Sequence, residues 1–307
     1  MSGHALPPFA SVLKSREVED PVNLWFNRPM AYGFVALVFR TPVTPNQVTL
    51  LATAVGIAAA ACIAQGSPER MLWGGILLWS SAILDGADGI LARAKQMQSD
   101  LGRALDGSAD LVVALAVLVG AGYHLWDKHH SIEQMAMLPV ITVSSVFHIY
   151  LYDYYKESYM AFTKTEWNGR FESRADAVNK LQALRDAQAG WVQRVAGKLY
   201  VDLMTNQYFA VKASNPAGLR ENIQFPAGQH TAEIYRRYNR VPMRLWTWIS
   251  LAPHTYLVAI SAMFDRFDIY LWFRVIAINL LFFAALRQQR KASEATLAEL
   301  LPVGAQL

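Results

Sequence analysis

The stretch Ile83–Val113 reads ILDGADGILARAKQMQSDLGRALDGSADLVV and places aspartates in surroundings that are otherwise apolar. Asp85 and Asp88 are three residues apart, and Asp106 and Asp110 are four apart. Each pair therefore shares one face if its segment is helical. The two pairs lie on either side of a short polar loop. A helical hairpin through that loop would bring all four carboxylates together, so the spacing predicts a compact acidic site.

The composition indicates that this hairpin lies in a membrane protein. Of the 307 residues, 53% are hydrophobic and only 17% are charged, whereas soluble domains average about 25% charged residues. A helix needs about 20 mostly apolar residues to cross a bilayer. Six segments meet this requirement: 46–65, 70–94, 105–126, 135–155, 243–264 and 267–287. We therefore expect an all-α fold, a bundle of six transmembrane helices.

Two further parts of the chain flank or interrupt these spans. The segment Asn23–Arg40 is shorter, is interrupted by Arg28 and Pro29, and carries Trp and Phe beside basic residues, which favours an amphipathic helix lying in the membrane interface. An insert between helices 4 and 5 has a helical pattern in its first half. We divide the chain into a cytoplasmic N-terminus with the interfacial helix, helices 1–4 with the acidic motif, a cytoplasmic insert, and helices 5–6 with the C-terminal tail: residues 1–45, 46–155, 156–240 and 241–307.

The distribution of Lys and Arg predicts the orientation of the spans. Basic residues concentrate at 94–104, at 287–291 and in the insert, which contains 13 Lys/Arg against 8 Asp/Glu. By the positive-inside rule, the acidic site, the insert and both termini face the cytoplasm. We expect an integral membrane protein of a bacterial or archaeal inner membrane. Because no Lys/Arg stripe with interleaved aromatics occurs, we expect no nucleic-acid partner.

Four carboxylates this close would repel one another unless cations are bound. Mg²⁺ is typically held by carboxylates together with substrate phosphates, and two metal ions about 4 Å apart form the usual clamp for displacement at phosphorus. The small residues of the stretch leave room for metals and a diphosphate near the backbone: Gly86, Gly89, Ala92, Gly102, Gly107 and Ala109. The structural alternative is that the acids form ion pairs with Arg93, Lys95 and Arg103.

Eight residues of the hairpin fit the pattern D-x-x-D-G-x-x-A-R-x8-G-x3-D-x3-D with every gap matched: Asp85, Asp88, Gly89, Ala92, Arg93, Gly102, Asp106 and Asp110. In this pattern the chain resembles the CDP-alcohol phosphotransferase (CDP-alcohol phosphatidyltransferase) family of integral membrane phospholipid synthases. The resemblance implies a phosphotransferase that uses two Mg²⁺ or Mn²⁺ ions per site.

The family resemblance also implies roles for single residues. Asp85, Asp88, Asp106 and Asp110 correspond to metal ligands, with Asp110 also the general base. Gly89, Arg93 and Gly102 correspond to positions that contact the CDP moiety.

The sequence TPNQVT at the start of the first span is similar to the family's Pro-Asn-x-x-Thr. Asn46 and Thr49 are therefore further candidates for CDP binding. The alternative is helix capping, for which Thr44 and Asn46 are well suited.

The resemblance implies transfer of a phosphatidyl group from a CDP-alcohol to an acceptor hydroxyl, with release of CMP. The segment LDGSADL, residues 105–111, resembles the family members that use CDP-diacylglycerol. The resemblance therefore implies CDP-diacylglycerol as donor and a polyol or polyol phosphate, such as inositol phosphate or glycerol phosphate, as acceptor. One alternative is transfer of phosphocholine or phosphoethanolamine from a soluble CDP-alcohol to a lipid hydroxyl. An alternative of another class is a cation transporter that uses the acidic site.

The expected partners are the lipid membrane, a CDP-linked lipid donor, a small polar alcohol and a second copy of the chain in a homodimer. His148 and Asp153 in the fourth span lie near its cytoplasmic end and are candidates for the acceptor pocket. For a lone histidine in a span, the alternative is a hydrogen bond between helices.

Overall fold

The computed structural model describes residues 5–13, 16–163, 174–219, 225 and 228–300, and the regular structure of these residues is helical. This confirms the all-α class for the part described. The helices are α1 Phe9–Val12, α2 Arg28–Val38, α3 Pro45–Gln65, α4 Pro68–Ala94, α5 Asp100–His129, α6 Ile132–Phe162, α7 Arg174–Asp186, α8 Trp191–Ser214, α9 Gln229–Ile249, α10 Leu251–Met263, α11 Phe267–Phe273 and α12 Asn279–Leu300. The chain forms two compact units, residues 1–143 with 251–278 and residues 144–250 with 279–307.

Five helical stretches within the described residues are long and apolar enough to cross a membrane: Pro45–Gln65, Pro68–Ala94, Leu105–His129, Ile132–Phe162 and Phe267–Leu300. They suit an integral membrane protein. The predicted span 243–264 differs, because α9 ends at Ile249 and α10 begins at Leu251 after an extended Ser250. Pro253 explains the break, since it has no N–H for the Ile249 carbonyl and its ring crowds the preceding turn. The six-span count stays a prediction.

Polar caps fix where the helices of the acidic hairpin and its neighbour begin. Thr44 forms a capping box with Gln47 at the start of α3, which satisfies two backbone N–H groups. Ser67 caps α4, and Ser99 caps α5 by accepting a hydrogen bond from the Gly102 N–H at 3.0 Å. These caps set the residue at which each helix starts, and therefore which face each aspartate occupies.

Helix α3 packs closely against both α4 and α5. A Cβ on Gly56 would lie 2.7 Å from the Val113 side chain and 2.9 Å from Ser81 Oγ. A Cβ on Gly120 would lie 2.5 Å from the Ala60 carbonyl oxygen. A side chain at either glycine would force these neighbours apart, so the small residues of the first spans let α4 and α5 both approach α3 closely.

The N-terminal segment forms an amphipathic helix against this bundle. A π-helical turn, Asn23–Asn27, runs directly into α2. Ala31 and Val35 are fully buried, whereas Trp25 and Leu37 are 78% and 79% exposed. The exposed apolar side is typical of a helix in the membrane interface, and that location stays a prediction.

A polar contact connects the end of α5 with the turn before α11. Asp265 Oδ1 lies 2.7 Å from His124 Nε2, and Lys128 Nζ donates to Asp265 Oδ2 at 2.6 Å. Burial raises the pKa of Asp265, but the hydrogen bonds from Lys128 and His124 outweigh it and hold that pKa below its ordinary value. The stabilisation from this contact is therefore present above the ordinary aspartate pKa and is lost as pH falls through the lowered pKa.

A buried polar ladder joins α9 and α12 in the second unit. Trp246 Nε1 donates to Gln289 Oε1 at 3.2 Å, and Gln289 Nε2 donates to Asn239 Oδ1 at 2.8 Å. Asn239 Nδ2 in turn donates to Thr296 Oγ1 at 3.0 Å. Because these buried groups satisfy one another, the ladder fixes the register of the two helices. Among the described residues of the predicted insert, α7 and α8 follow the helical pattern of the sequence.

Candidate metal and nucleotide site

Three aspartates from two helices meet at the acidic hairpin. Asp85 and Asp88 lie near the end of α4, and Asp106 lies near the start of α5. One carboxylate oxygen from each lies within 4.8 Å of the other two. Asp88 is buried, and the other two are half-buried. The hairpin predicted from the spacing therefore brings these three carboxylates into one cluster.

Asp110 lies one turn beyond Asp106 on α5 and is half-buried. Its carboxylate interacts electrostatically with Asp85 and Asp88, but it is not among the three that lie within 4.8 Å of one another. The fourth predicted site residue is thus close to Asp85 and Asp88, one turn beyond Asp106.

The chemistry of the cluster fits a hard divalent cation. Two full negative charges about 5 Å apart repel by about 3 kcal/mol in a partly screened protein environment. Carboxylate oxygens at this separation are the donors that Mg²⁺ and Mn²⁺ prefer. Asp85, Asp88 and Asp106 could therefore hold a metal ion, which would neutralise their mutual repulsion.

Thr49 on α3 faces the cluster. Its hydroxyl donates to the Asp88 carboxylate, and the Pro45 carbonyl oxygen, 3.2 Å away, is the alternative acceptor. Thr49 is 4% exposed. The cap of α3 is Thr44, so the capping interpretation does not account for Thr49. The hydroxyl orients one carboxylate of the cluster.

Asn46 and Gly102 lie opposite each other beside the cluster. Asn46 Oδ1 is 3.5 Å from the position that a Cβ on Gly102 would occupy. Asn46 lies in the first turn of α3 and is exposed. Two residues predicted separately to contact the nucleotide therefore border the same gap between α3 and α5.

The cations nearest to the acids make hydrogen bonds with backbone carbonyls. Arg93 Nε donates to the Val12 carbonyl oxygen at 2.6 Å. Lys95 Nζ donates to two carbonyls of the loop before α3, at 2.8 and 2.7 Å. The Arg93 Nη1 atom is 3.4 Å from the position of a Cβ on Gly89. These hydrogen bonds differ from the alternative prediction, in which Arg93 and Lys95 form ion pairs with the aspartates. The Arg103 side chain lies outside the described part of the chain.

Arg28 is a neighbour of the site that the sequence did not reveal. Its Nη1 donates to the Gly86 carbonyl oxygen at 3.3 Å, and Gly86 lies between the two aspartates of α4 in the chain. In the sequence, Arg28 is one of two arginines in a mostly apolar interfacial segment. A charge followed by proline within such a segment is the one signal that could have singled it out.

The two residues proposed for the acceptor pocket lie in the second unit. His148 is 1% exposed, and its ring stacks on Phe282 with the centroids 4.5 Å apart. Asp153 Oδ1 accepts a hydrogen bond from Lys156 Nζ at 2.5 Å. Their role in acceptor binding stays a prediction.

The part of the chain that contains the acidic hairpin is similar to known proteins. A sequence model of the CDP-alcohol phosphatidyltransferase family matches residues 42–178. The bifunctional IPC transferase and DIPP synthase of Rubrobacter xylanophilus is 33% identical over 111 residues, and that of Aquifex aeolicus is 40% identical over 87 residues. The phosphatidylinositol phosphate synthase of Mycobacteroides abscessus is 34% identical over 83 residues.

These similarities cover only part of each protein. They include 35%, 27% and 27% of this chain, and 25%, 19% and 37% of the respective relatives. The family match nevertheless contains all eight motif positions, the Thr49–Asp88 hydrogen bond and the three-carboxylate cluster. Residues 42–178 are thus similar to the CDP-alcohol phosphatidyltransferase family.

Proposed function

We propose that the protein transfers a phosphatidyl group from CDP-diacylglycerol to a hydroxyl group of a small polyol or polyol phosphate and releases CMP. The observation that carries the proposal is the cluster of Asp85, Asp88 and Asp106 at the family's motif spacing. Such a cluster suits a reaction at a diphosphate, because substrate phosphates complete the oxygen shell of a bound divalent cation.

The aspartates would hold one or two Mg²⁺ or Mn²⁺ ions. When bound, these ions supply charge neutralisation on the diphosphate and on the departing CMP. Thr49 keeps the Asp88 carboxylate oriented for this role. Gly89, Arg93, Gly102 and Asn46 are proposed to contact the CDP moiety, in line with their positions around the cluster.

Asp110 is proposed as the general base. The acceptor hydroxyl gives its proton to the Asp110 carboxylate while its oxygen forms a bond to the β-phosphorus. The bond from that phosphorus to the oxygen bridging to CMP breaks, and CMP leaves with the bonding electrons. The place of Asp110 one turn beyond Asp106 and close to Asp85 supports this assignment, since a base must lie near the reacting phosphate.

The relatives favour a phosphorylated acceptor. One of them is named for the synthesis of phosphatidylinositol phosphate, a product that phosphatidyl transfer would form from inositol phosphate. We therefore rank inositol phosphate first among the acceptors, with glycerol phosphate next. His148 and Asp153 stay candidates for the acceptor pocket. We further propose a cytoplasmic site and a homodimer.

The test is CMP release by the purified protein in lipid nanodiscs containing CDP-diacylglycerol. Reactions with Mn²⁺, with Mg²⁺ or with EDTA would each contain one acceptor, and the product lipid would be identified by mass. We expect metal-dependent CMP release with inositol phosphate or glycerol phosphate. CMP formed only from CDP-choline and diacylglycerol would assign the chain to the other branch. If no CMP appears with any donor, the transferase proposal is wrong.

Replacing Thr49 with valine is expected to weaken Mn²⁺ binding and to slow CMP release, each by about tenfold, the usual effect of losing a hydrogen bond to a charged group. Valine preserves the β-branched shape, so the helix should be unaffected. Thr53→Val is the matched control, because the Thr53 hydroxyl donates only to the Thr49 carbonyl, at 2.8 Å, among the contacts described. Equal effects in the two variants would contradict a role for Thr49 at the cluster.

A further inference from the structure

A guanidinium from the N-terminal segment reaches the turn of α4 that carries the metal-binding aspartates. Arg28 Nη1 donates to the Gly86 carbonyl oxygen at 3.3 Å. A Cβ on Gly86 would lie 2.9 Å from the same nitrogen atom. Because Gly86 has no side chain, the guanidinium can occupy the space beside it. Gly86 itself lies between Asp85 and Asp88 in the sequence.

Glu19 holds this guanidinium in place. Its Oε2 accepts a hydrogen bond from Arg28 Nε at 2.9 Å, and the two side chains are only 7% and 18% exposed. A guanidinium has five N–H donors, and the contacts with Glu19 and Gly86 engage two of its nitrogens. The arginine is thus oriented before any substrate arrives and retains donors for a further acceptor.

The segment from Glu19 to Arg28 is itself attached to the bundle. Asn27 Oδ1 accepts a hydrogen bond from Trp79 Nε1 at 2.9 Å. Asp20 Oδ1 accepts one from the Tyr256 hydroxyl at 3.0 Å. Because both ends of the segment are fixed, Arg28 lies on a rigid support rather than on a loose terminus.

Arg28 and Arg93 form a pair of neighbouring positive charges. The Arg93 guanidinium interacts electrostatically with Arg28, with Glu19 and with Asp88. Glu19 pairs with Arg28, and Asp88 is a second carboxylate that acts on Arg93. A metal ion bound by Asp88 would offset the charge of that carboxylate, and the two partly buried guanidinium groups then repel each other unless another anion neutralises them. Phosphate oxygens match the planar fork of guanidinium groups, so a diphosphate would relieve this repulsion.

We propose that Arg28 is a second guanidinium, besides Arg93, that binds the phosphate groups of the CDP-linked donor. This inference rests on the proposed function. It extends the donor site from α3, α4 and α5 to the N-terminal segment. Glu19 then orients the Arg28 guanidinium toward the donor phosphates. It also accounts for the position of a charged residue at the start of a helix whose other exposed residues are apolar.

The test is the affinity of the protein in detergent for CDP at saturating Mn²⁺, measured by titration calorimetry. Arg28→Gln should weaken CDP binding by about tenfold or more, because a charge-assisted hydrogen bond is lost. Arg28→Lys, which preserves the charge but not the fork, should show a smaller loss. Arg40→Gln is the control, since Arg40 lies just beyond the same helix and is exposed. It should bind CDP like the wild type.

A second measurement separates phosphate binding from a purely structural role. If Arg28 only fixes the turn at Gly86, Arg28→Gln should weaken Mn²⁺ binding without nucleotide as much as it weakens CDP binding, and the proposal is overturned. An unchanged CDP affinity overturns it as well. If Arg28→Gln does not fold, Arg28→Lys takes its place. Its CDP affinity is then compared with that of the wild type and with its own loss of Mn²⁺ affinity. If the wild type fails to bind CDP, the proposed function itself is wrong, whereas normal wild-type binding confines a failure to Arg28.

Discussion

Asp106→Asn is expected to lower the rate of CMP release by at least about 1,000-fold, since a bound metal ion contributes several kcal/mol of charge stabilisation to displacement at phosphorus. Asparagine has the same shape as aspartate but supplies a neutral, weaker oxygen donor. Asp106 is the only contribution of α5 to the three carboxylates that lie within 4.8 Å. Its loss therefore leaves two of the three carboxylates of this cluster, both on α4.

The effect of the same substitution on the melting temperature should depend on whether metal is present. In the metal-free protein, Asp106→Asn removes one of three crowded negative charges, so we expect an unchanged or higher melting temperature. With Mn²⁺, the wild type should gain stability that the variant does not. Thermal unfolding with increasing Mn²⁺ measures both effects.

Asp127→Asn is the matched control for this prediction. Asp127 lies on the same helix, near its other end, and is exposed. The identical chemical change there should leave CMP release and the Mn²⁺-dependent stabilisation unchanged. A cluster that served only to support the fold would give a different result, namely a lower melting temperature for Asp106→Asn in the absence of metal.

The spacing of residues in the sequence was sufficient to predict the centre of the site. Positions three and four apart on a helix share a face whatever surrounds them, so the meeting of Asp85, Asp88 and Asp106 followed from the hairpin alone. The prediction that Asn46 contacts the CDP moiety had a weaker basis, a short similarity at the start of α3. Both predictions concern residues on regular helices.

Contacts between distant segments could not be predicted in this way. Arg28 reaches Gly86 across 58 positions of the chain, and the Tyr256 hydroxyl reaches Asp20 across 236. No periodicity in the sequence encodes such contacts, because they depend on how the helices pack. The sequence predicted one continuous helix over 243–264 for a different reason. Hydropathy averaged over this range does not respond to a single proline, although that proline interrupts the helix.

Asp110→Asn is expected to reduce turnover by about 1,000-fold, within the range by which a positioned general base accelerates a reaction. Asparagine cannot accept the proton of the acceptor hydroxyl, so the chemical step should fail. The affinities for CDP and for Mn²⁺ should remain within about threefold of the wild type, because a residue acting only in the transition state does not contribute to ground-state binding. Single-turnover CMP release and calorimetric titration measure the two quantities separately.

The comparison with Asp106→Asn decides between the two roles that the family resemblance gives to Asp110. If Asp110 is chiefly a metal ligand, its asparagine variant should lose Mn²⁺ affinity to the same extent as Asp106→Asn. If it is chiefly the base, only Asp106→Asn should lose that affinity, while both variants lose turnover. We expect the second outcome, because the three carboxylates that meet within 4.8 Å are those of Asp85, Asp88 and Asp106. Near-normal turnover in Asp110→Asn would rule out both roles.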